Sequence, residues 1–356
     1  MTNKCNANTI ISVFLSALLV LGICIYGKNY LKDISRPSDS HKLTDIENFS
    51  NYMEKFKKNY DSNEYFRRLK IYKNSTLEII RLNKLENSLN VESAVYGHSK
   101  YSDWSEEEFA KVMLTKMMSS CKKSSRRSFS SYEELNIPKM MDWRQKGVVG
   151  PILDQKMCSG CWAISIVGVM ETMLAIGLQK NGTMRPLTKL SIQELIDCSK
   201  RNDGCRGGKP STALEYLKKS RLPIVTEEQY PLLLVDQTCK IRGRPNGVLV
   251  TDYTDLCNAQ EEEMLRLLAK HGTLIAVVNA KLWQHYVGGV IHKGCLGAER
   301  YLNHVIQIVG YDLTASTPYY IVKNSWGEDF GDEGYVKIAI GHNVCGIADE
   351  ISYLNV

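Results

Sequence analysis

The run Gln155-Lys156-Met157-Cys158-Ser159-Gly160-Cys161-Trp162 opens a mostly apolar stretch over residues 161–179 that reads as a helix. Cys161 stands at the start of that helix, where unpaired backbone N–H groups and the helix dipole favour a thiolate. The thiolate is the reactive form of cysteine. Far downstream come Leu302-Asn303-His304 and Lys323-Asn324-Ser325-Trp326-Gly327, each beside a β-type run able to hold a side chain rigidly. A cysteine, a histidine and an asparagine in this order suit nucleophilic attack on a carbonyl. Each residue alone is more often structural than catalytic, and their joint occurrence reverses that balance. Cys158 and Cys161 also form a Cys-x-x-Cys pair. A redox pair would need a preceding βαβ pattern and a zinc site a second close thiol pair, and the sequence has neither.

The elements that must position these residues come in two textures. Residues 45–90 contain no Gly or Pro and carry apolar positions such as Phe66, Leu69, Tyr72, Leu77 and Ile80 at mostly three-to-four spacing, which predicts amphipathic helices. A short extended segment around Val95–Tyr101 follows, then Ser105-Glu106-Glu107-Glu108, a helix start with acidic residues in its first turn. Ser119–Ser131 is polar, basic and aperiodic, which reads as an exposed linker open to cutting. Beyond Pro138 further helices are expected over Leu190–Ser199 and Thr212–Ser220. Strands are expected over Val248–Tyr253, Leu274–Asn279, Val305–Tyr311, Tyr319–Lys323 and Gly334–Ile340. Helices first and strands second argue for an α+β protein in two halves.

Composition sets the compartment. The 356 residues are 44% hydrophobic and 24% charged, which excludes a disordered or fibrous chain. The net charge of +6 lies almost wholly in the first 135 residues and accompanies no nucleic-acid-binding pattern, so no nucleic-acid partner is expected. Eleven cysteines point to an oxidising compartment. Lys4 followed by the apolar run Ile10–Tyr26, with Gly22, Cys24 and Gly27 near its end, reads as a secretory signal peptide over residues 1–27, or as a signal anchor. Asn48, Asn74 and Asn181 begin N-glycosylation tripeptides; Asn48 and Asn181 are the expected acceptors, because Asn74 falls inside a helix motif described below.

Several blocks in order give the chain a resemblance to the papain-like cysteine proteases from about residue 45 onward. They are Ile137-Pro138 with Asp142-Trp143-Arg144-Gln145-Lys146-Gly147, the run through Cys161, Gly204-Cys205-Arg206-Gly207-Gly208, Asn324-Ser325-Trp326-Gly327 and Gly331 with Gly334-Tyr335. The resemblance implies a two-domain papain-like fold, with a helical left domain and a β-barrel-like right domain, behind a mainly helical inhibitory propeptide. The implied boundaries are a propeptide over 28–135 and a mature peptidase over 136–356, helical to about 245 and β-rich over 246–350. It implies Cys161 as nucleophile, His304 as acid and base, and Asn324 as the side chain that orients the imidazole. The oxyanion would be met by the Gln155 side-chain amide and the Cys161 backbone N–H, with Trp326 shielding the His–Asn bond. It pairs Cys158 with Cys205, Cys198 with Cys239 and Cys295 with Cys345. Cys257 is left over as a buried residue, an exposed thiol or a partner for Cys121.

The resemblance extends to specificity and control. Gly207, Gly208, Lys209, Pro210, Val277, Asn303, Trp326 and Glu350 would line the substrate cleft, with Glu350 and Lys209 near the pocket for the second residue before the scissile bond. Glu350 would admit Arg there unless Lys209 neutralises it. Gly207-Gly208 runs directly into Lys209-Pro210 without the insertion of exopeptidase relatives, which favours an endopeptidase. Glu64, Arg68, Ile71-Tyr72, Ile79 and Asn83 follow the family's propeptide helix motif, and Gly97, Tyr101 and Asp103 its short strand motif. Tyr72, Ser75, Ser99 and Tyr101 depart from the usual residues. The expected partners are protein and peptide substrates, the chain's own propeptide as inhibitor and cystatin-like inhibitors of a monomer. No cofactor or metal is expected, and the expected location is the lysosome or the exterior. A catalytically weak binding protein and a thiol–disulfide oxidoreductase are the alternatives.

Overall fold

The computed structural model describes residues 37–86, 93–115, 136–183, 185–293, 295 and 302–356. The expected signal segment, the basic linker and Cys121 lie outside the described residues. Two compact units divide the chain, one up to Lys73 and one from Asn74 to Val356.

The first unit contains helix α1 (Pro37–Lys55) and the opening turns of α2 (Ser62–Glu86). Phe49, Tyr52 and Tyr72 form its buried centre, packed against Tyr65 and Leu69. Their rings meet at 4.9–5.9 Å between centroids in stacked, tilted and edge-on arrangements, the spacing at which aromatic quadrupoles attract. Glu64 binds Arg67 and Arg68 through charge-assisted hydrogen bonds of 2.7–2.9 Å. These guanidinium contacts hold the Glu64 carboxyl down at about 2.

The buried face of α2 matches the expected one only in part. Tyr72 is buried and Leu69 packs beside it as expected, but Phe66, Leu77 and Ile80 are exposed and Ser75, Ile79 and Leu82 are buried instead. Apolar side chains occur on both sides of this helix, so spacing alone could not choose, and packing selected the row that includes the small Ser75.

In the second unit β1 (Val95–Tyr96) and α3 (Glu106–Met113) precede the main sheet. The α3 start is a full capping box: the Ser105 hydroxyl accepts from the Glu108 N–H, and the Glu108 carboxylate accepts from the Ser105 N–H. β2 (Met140–Asp142) leads to the long helix α4 (Cys161–Lys180), followed by α5 (Ile192–Cys198) and α6 (Pro210–Ser220). Then come β3 (Asp252–Cys257), α7 (Glu261–Lys270), β4 (Leu274–Val278), β5 (Tyr286–Gly288), β6 (Val290–Ile291), β7 (His304–Asp312), β8 (Tyr319–Lys323), β9 (Tyr335–Ala339) and β10 (Glu350–Asn355). The sheet has the order β3-β10-β4-β7-β8-β9-β6, with β2 added to β7 and only the β6–β9 pair parallel. β3 lies later than the expected Val248–Tyr253 because its pairing with β10, from Glu350 against Cys257 to Asn355 against Asp252, sets its limits. Val248 instead forms an isolated bridge to Ile224.

α4 is long and apolar enough to cross a membrane by composition, yet most of it is buried inside this unit. It has no solvated stripe along its first turns, since Cys161 through Met170 are all buried. That helix, with α5, α6 and Val277 and Val305 of the sheet, forms one core. A second core joins the other side of the sheet to Ile79, Leu82, Tyr96, Tyr101, Phe109 and Met113. Each large apolar side chain so buried stabilises by roughly 1.5–3 kcal/mol, which anchors the segment Asn74–Leu114 to the β-rich half. Disulfides join Cys158 to Cys205, Cys198 to Cys239 and Cys295 to Cys345. Cys257 is also disulfide-bonded, to a partner outside the described residues, and Cys161 is the one free thiol among the described residues.

Candidate active site

Four chain segments carry the candidate catalytic residues. The first is the N-terminus of α4, where Gly160 is the cap and no side chain takes up the first turn. The second is the start of β7: the backbone at Val305 lies against the thiol, with His304 beside it and entirely buried. The third is the turn after β8, where Asn324 Oδ1 stands 2.7 Å from His304 Nε2. The same oxygen accepts the Ser325 N–H at 2.8 Å, so the ring nitrogen facing it carries the hydrogen. His304 Nδ1 is buried and makes no hydrogen bond. The Trp326 ring covers the pair, tilted at 36° with its centroid 4.7 Å from that of His304, and is itself fully buried among Phe109, Phe330 and Trp283.

The fourth segment carries Gln155. The Ser325 hydroxyl donates to Gln155 Oε1 at 2.8 Å, which fixes which end of the amide is the donor. Gln155 Nε2 is left to point at the carbonyl oxygen of Met113, at 3.4 Å. Ser325 lies in the Asn324-Ser325-Trp326-Gly327 block, yet its part in aiming Gln155 was visible only once the two segments were opposed.

The last turn of α3 and the residues after it occupy the cleft. Ser159 Oγ donates to the Val112 carbonyl at 3.1 Å, and the Thr115 N–H donates to the Asn303 carbonyl at 2.7 Å. The Thr115 side chain sits where a Cβ on Gly207 would stand, and Gly207 has φ +122°, so this close approach requires glycine. Gly208 backs onto the Trp162 ring in the same manner. Lys209 caps α6 and Pro210 is its first residue, while Val277 of β4 is directly opposite Glu350 of β10. Asn303 Oδ1 accepts the Ala280 N–H at 2.9 Å. The side-chain amides of Asn48 and Asn181 belong to exposed residues.

Burial reverses one electrostatic expectation. The helix dipole favours a Cys161 thiolate, but with the cleft covered burial pushes the thiol up to about 11, against the opposing pull of backbone groups at Val305 and Trp162. Burial likewise pushes His304 down to about 4, with Asn324 opposing. With the cleft covered, burial disfavours the charged forms of both Cys161 and His304.

Comparison with known proteins gives the family of this chain and of its N-terminal segment. Residues 137–355 match the family described as papain family cysteine protease, and residues 49–109 match the cathepsin propeptide inhibitor domain. Cathepsin O of Homo sapiens is 39% identical over 273 residues, covering 76% of this chain and 82% of that protein. Cathepsin F of Mus musculus is 33% identical over 303 residues, covering 84% and 62% respectively. Among solved structures, digestive procathepsin L2 proteinase from Tenebrio molitor larval midgut superposes with a TM-score of 0.75 at 26% identity, covering 88% of this chain and all of that one.

Proposed function

The chain belongs to the papain family of cysteine proteases, and we propose from that premise a division of labour in its site. It is an endopeptidase made as a zymogen with its own inhibitory propeptide. Once the propeptide leaves and water enters, the desolvation that disfavours charge on the pair is relieved and the Cys161 proton passes to His304. The Cys161 sulfur then attacks a peptide carbonyl. The oxyanion takes hydrogen bonds from Gln155 Nε2 and the Cys161 N–H, and His304 returns its proton to the leaving amine. Water, deprotonated by His304, releases the acyl group in the second half. Asn324 holds the imidazole through its 2.7 Å hydrogen bond, and Trp326 keeps that bond dry.

The observation that carries this assignment is the Ser325–Gln155–Met113 chain: an amide donor, fixed in orientation, already holds a peptide carbonyl. A bond between Cys158 and Cys205 leaves Cys161 no vicinal thiol, which speaks against the oxidoreductase reading. The cleft residues Gly207, Gly208, Lys209, Pro210, Val277, Asn303 and Glu350 are proposed to hold the residues before the scissile bond. Signal removal near Gly27, processing near Asn136, glycans on Asn48 and Asn181, action as a monomer in the lysosome or outside the cell, and control by cystatin-like inhibitors complete the proposal. An epoxide that alkylates active-site thiols tests it. Labelling should be slow in the intact zymogen, whose thiol is raised to about 11, fast after acid processing, and absent in Cys161→Ser. Equal labelling of Cys161→Ser overturns the assignment.

A further inference from the structure

Lys100 lies in the inhibitory segment, two residues before Ser102, and its side chain reaches into the enzyme until only 15% of it is exposed. Its ammonium is shared by two carboxylates of the mature part: Nζ is 2.8 Å from Asp154 Oδ2 and 2.8 Å from Asp329 Oδ1. Both carboxylates flank the covering tryptophan. Asp154 immediately precedes Gln155 and bridges the backbone of Trp326, and Gly327 N–H donates to the Leu153 carbonyl at 3.0 Å. The other oxygen of Asp154 accepts the Lys156 N–H at 2.8 Å, which aims Oδ2 at the ammonium. Gly327 has φ +82°, and a Cβ there would stand 2.9 Å from Lys100 Nζ and 2.8 Å from Asp329 Oδ1. A glycine at that corner leaves the space the ammonium fills.

The direction of the cleft tells which half of a substrate this cation site meets. His304 returns a proton to the leaving amine, so the leaving half lies on the side of His304 and its covering Trp326. The inhibitory segment passes from Lys100 beside Trp326, through the Met113 carbonyl on Gln155, to Thr115 against Asn303 and Gly207. Lys100 and Thr115 thus mark opposite ends of the cleft.

We propose that, after the propeptide leaves, Asp154 and Asp329 form a cation subsite that selects Lys or Arg within the first three residues after the scissile bond. Lys100 is the internal stand-in for that side chain. The subsite rests on the protease assignment above and adds to it a substrate class, peptides with a basic leaving half. Asp154 and Asp329 stay 34% and 55% exposed with the ammonium in place, so solvent screens the pair and a preference of only about twofold to fivefold is expected.

Internally quenched peptides that differ only in Lys or Gln, placed in turn at each of the three positions after the cleaved bond, test this on the processed enzyme. The expected result is a higher kcat/KM for Lys at one of those positions, shrinking as salt rises from about 0.05 to 0.5 M, and a Lys/Gln ratio near one in Asp329→Asn and in Asp154→Asn. The ratio within each variant corrects for any loss of folded enzyme. Equal kcat/KM for Lys and Gln at all three positions in the parent overturns the subsite while leaving the protease assignment standing. A ratio retained in both variants overturns the role of these carboxylates. Failure to cleave any of the peptides overturns the protease assignment and the subsite together.

Discussion

At the scale of single residues, the site is a set of side chains whose orientation is fixed by their neighbours. Cys161, His304 and Asn324 stand in blocks that resemble those of the family, and each sits where a regular element begins or ends. Ser325 could not be assigned its part in the same way. Its hydroxyl acts on Gln155, a residue far away in the chain, and only tertiary opposition brings the two to 2.8 Å. The consequence is measurable. Gln155→Ala removes the proposed oxyanion donor and should lower kcat/KM by about 10²–10³, mostly in kcat. Ser325→Ala frees the amide to turn and should give a smaller loss of the same kind, with Ser325→Thr restoring part of it. Steady-state kinetics on one neutral peptide distinguishes the two. An unchanged kcat in Ser325→Ala would show that Gln155 is aimed by something else.

At the scale of elements, the contact between the inhibitory segment and the enzyme contains a proton-linked feature. His285 ends a short 3₁₀ turn, Lys281–His285, and is buried by the segment Gly97–Ser102: Gly97 N–H donates to the His285 carbonyl at 2.8 Å, and Ser102 Oγ is 3.1 Å from His285 Nδ1. Burial, with a smaller push from His98, lowers His285 to about 4, and Glu78 of α2 opposes the shift. Released from the segment, the imidazole returns toward its ordinary value near 6.5. The docked form therefore binds fewer protons than the released form. Docking is at full strength above about pH 6.5 and weakens by up to tenfold per unit as pH falls toward 4. His285→Asn, which keeps a polar atom facing Ser102, should remove one proton from that dependence; inhibition of the processed enzyme by added propeptide across pH 4–7 measures it. An identical slope in parent and variant would mean that other groups carry the acid response. The helices on either side were legible from period and capping, most clearly the Ser105–Glu108 box. The face α2 buries was not, because hydrophobic side chains on both sides of a helix satisfy the same spacing rule.

At the scale of the whole molecule, the cysteines connect the sequence to its processing. Cys257 is disulfide-bonded, the other described cysteines are either joined to one another or free, and the cysteines outside the described residues are Cys5, Cys24 and Cys121. All three precede Asn136. A chain cut near Asn136 should therefore keep a disulfide-linked N-terminal piece on non-reducing electrophoresis and lose it on reduction, whereas Cys257→Ser should lose it without reductant. Comigration of the parent under both conditions would exclude such a link. By itself the sequence determined the α+β class and the order of helices before strands, because these follow from local period, capping and residue type, while its motif blocks carried the resemblance to the family and to its reacting residues. The tertiary structure alone decided the strand limits, the buried face of α2, the burial that disfavours charge on Cys161 and His304, and the meeting of Lys100 with Asp154 and Asp329. Each of those depends on which distant segments exclude water from one another, and that information is not present in any short stretch of chain.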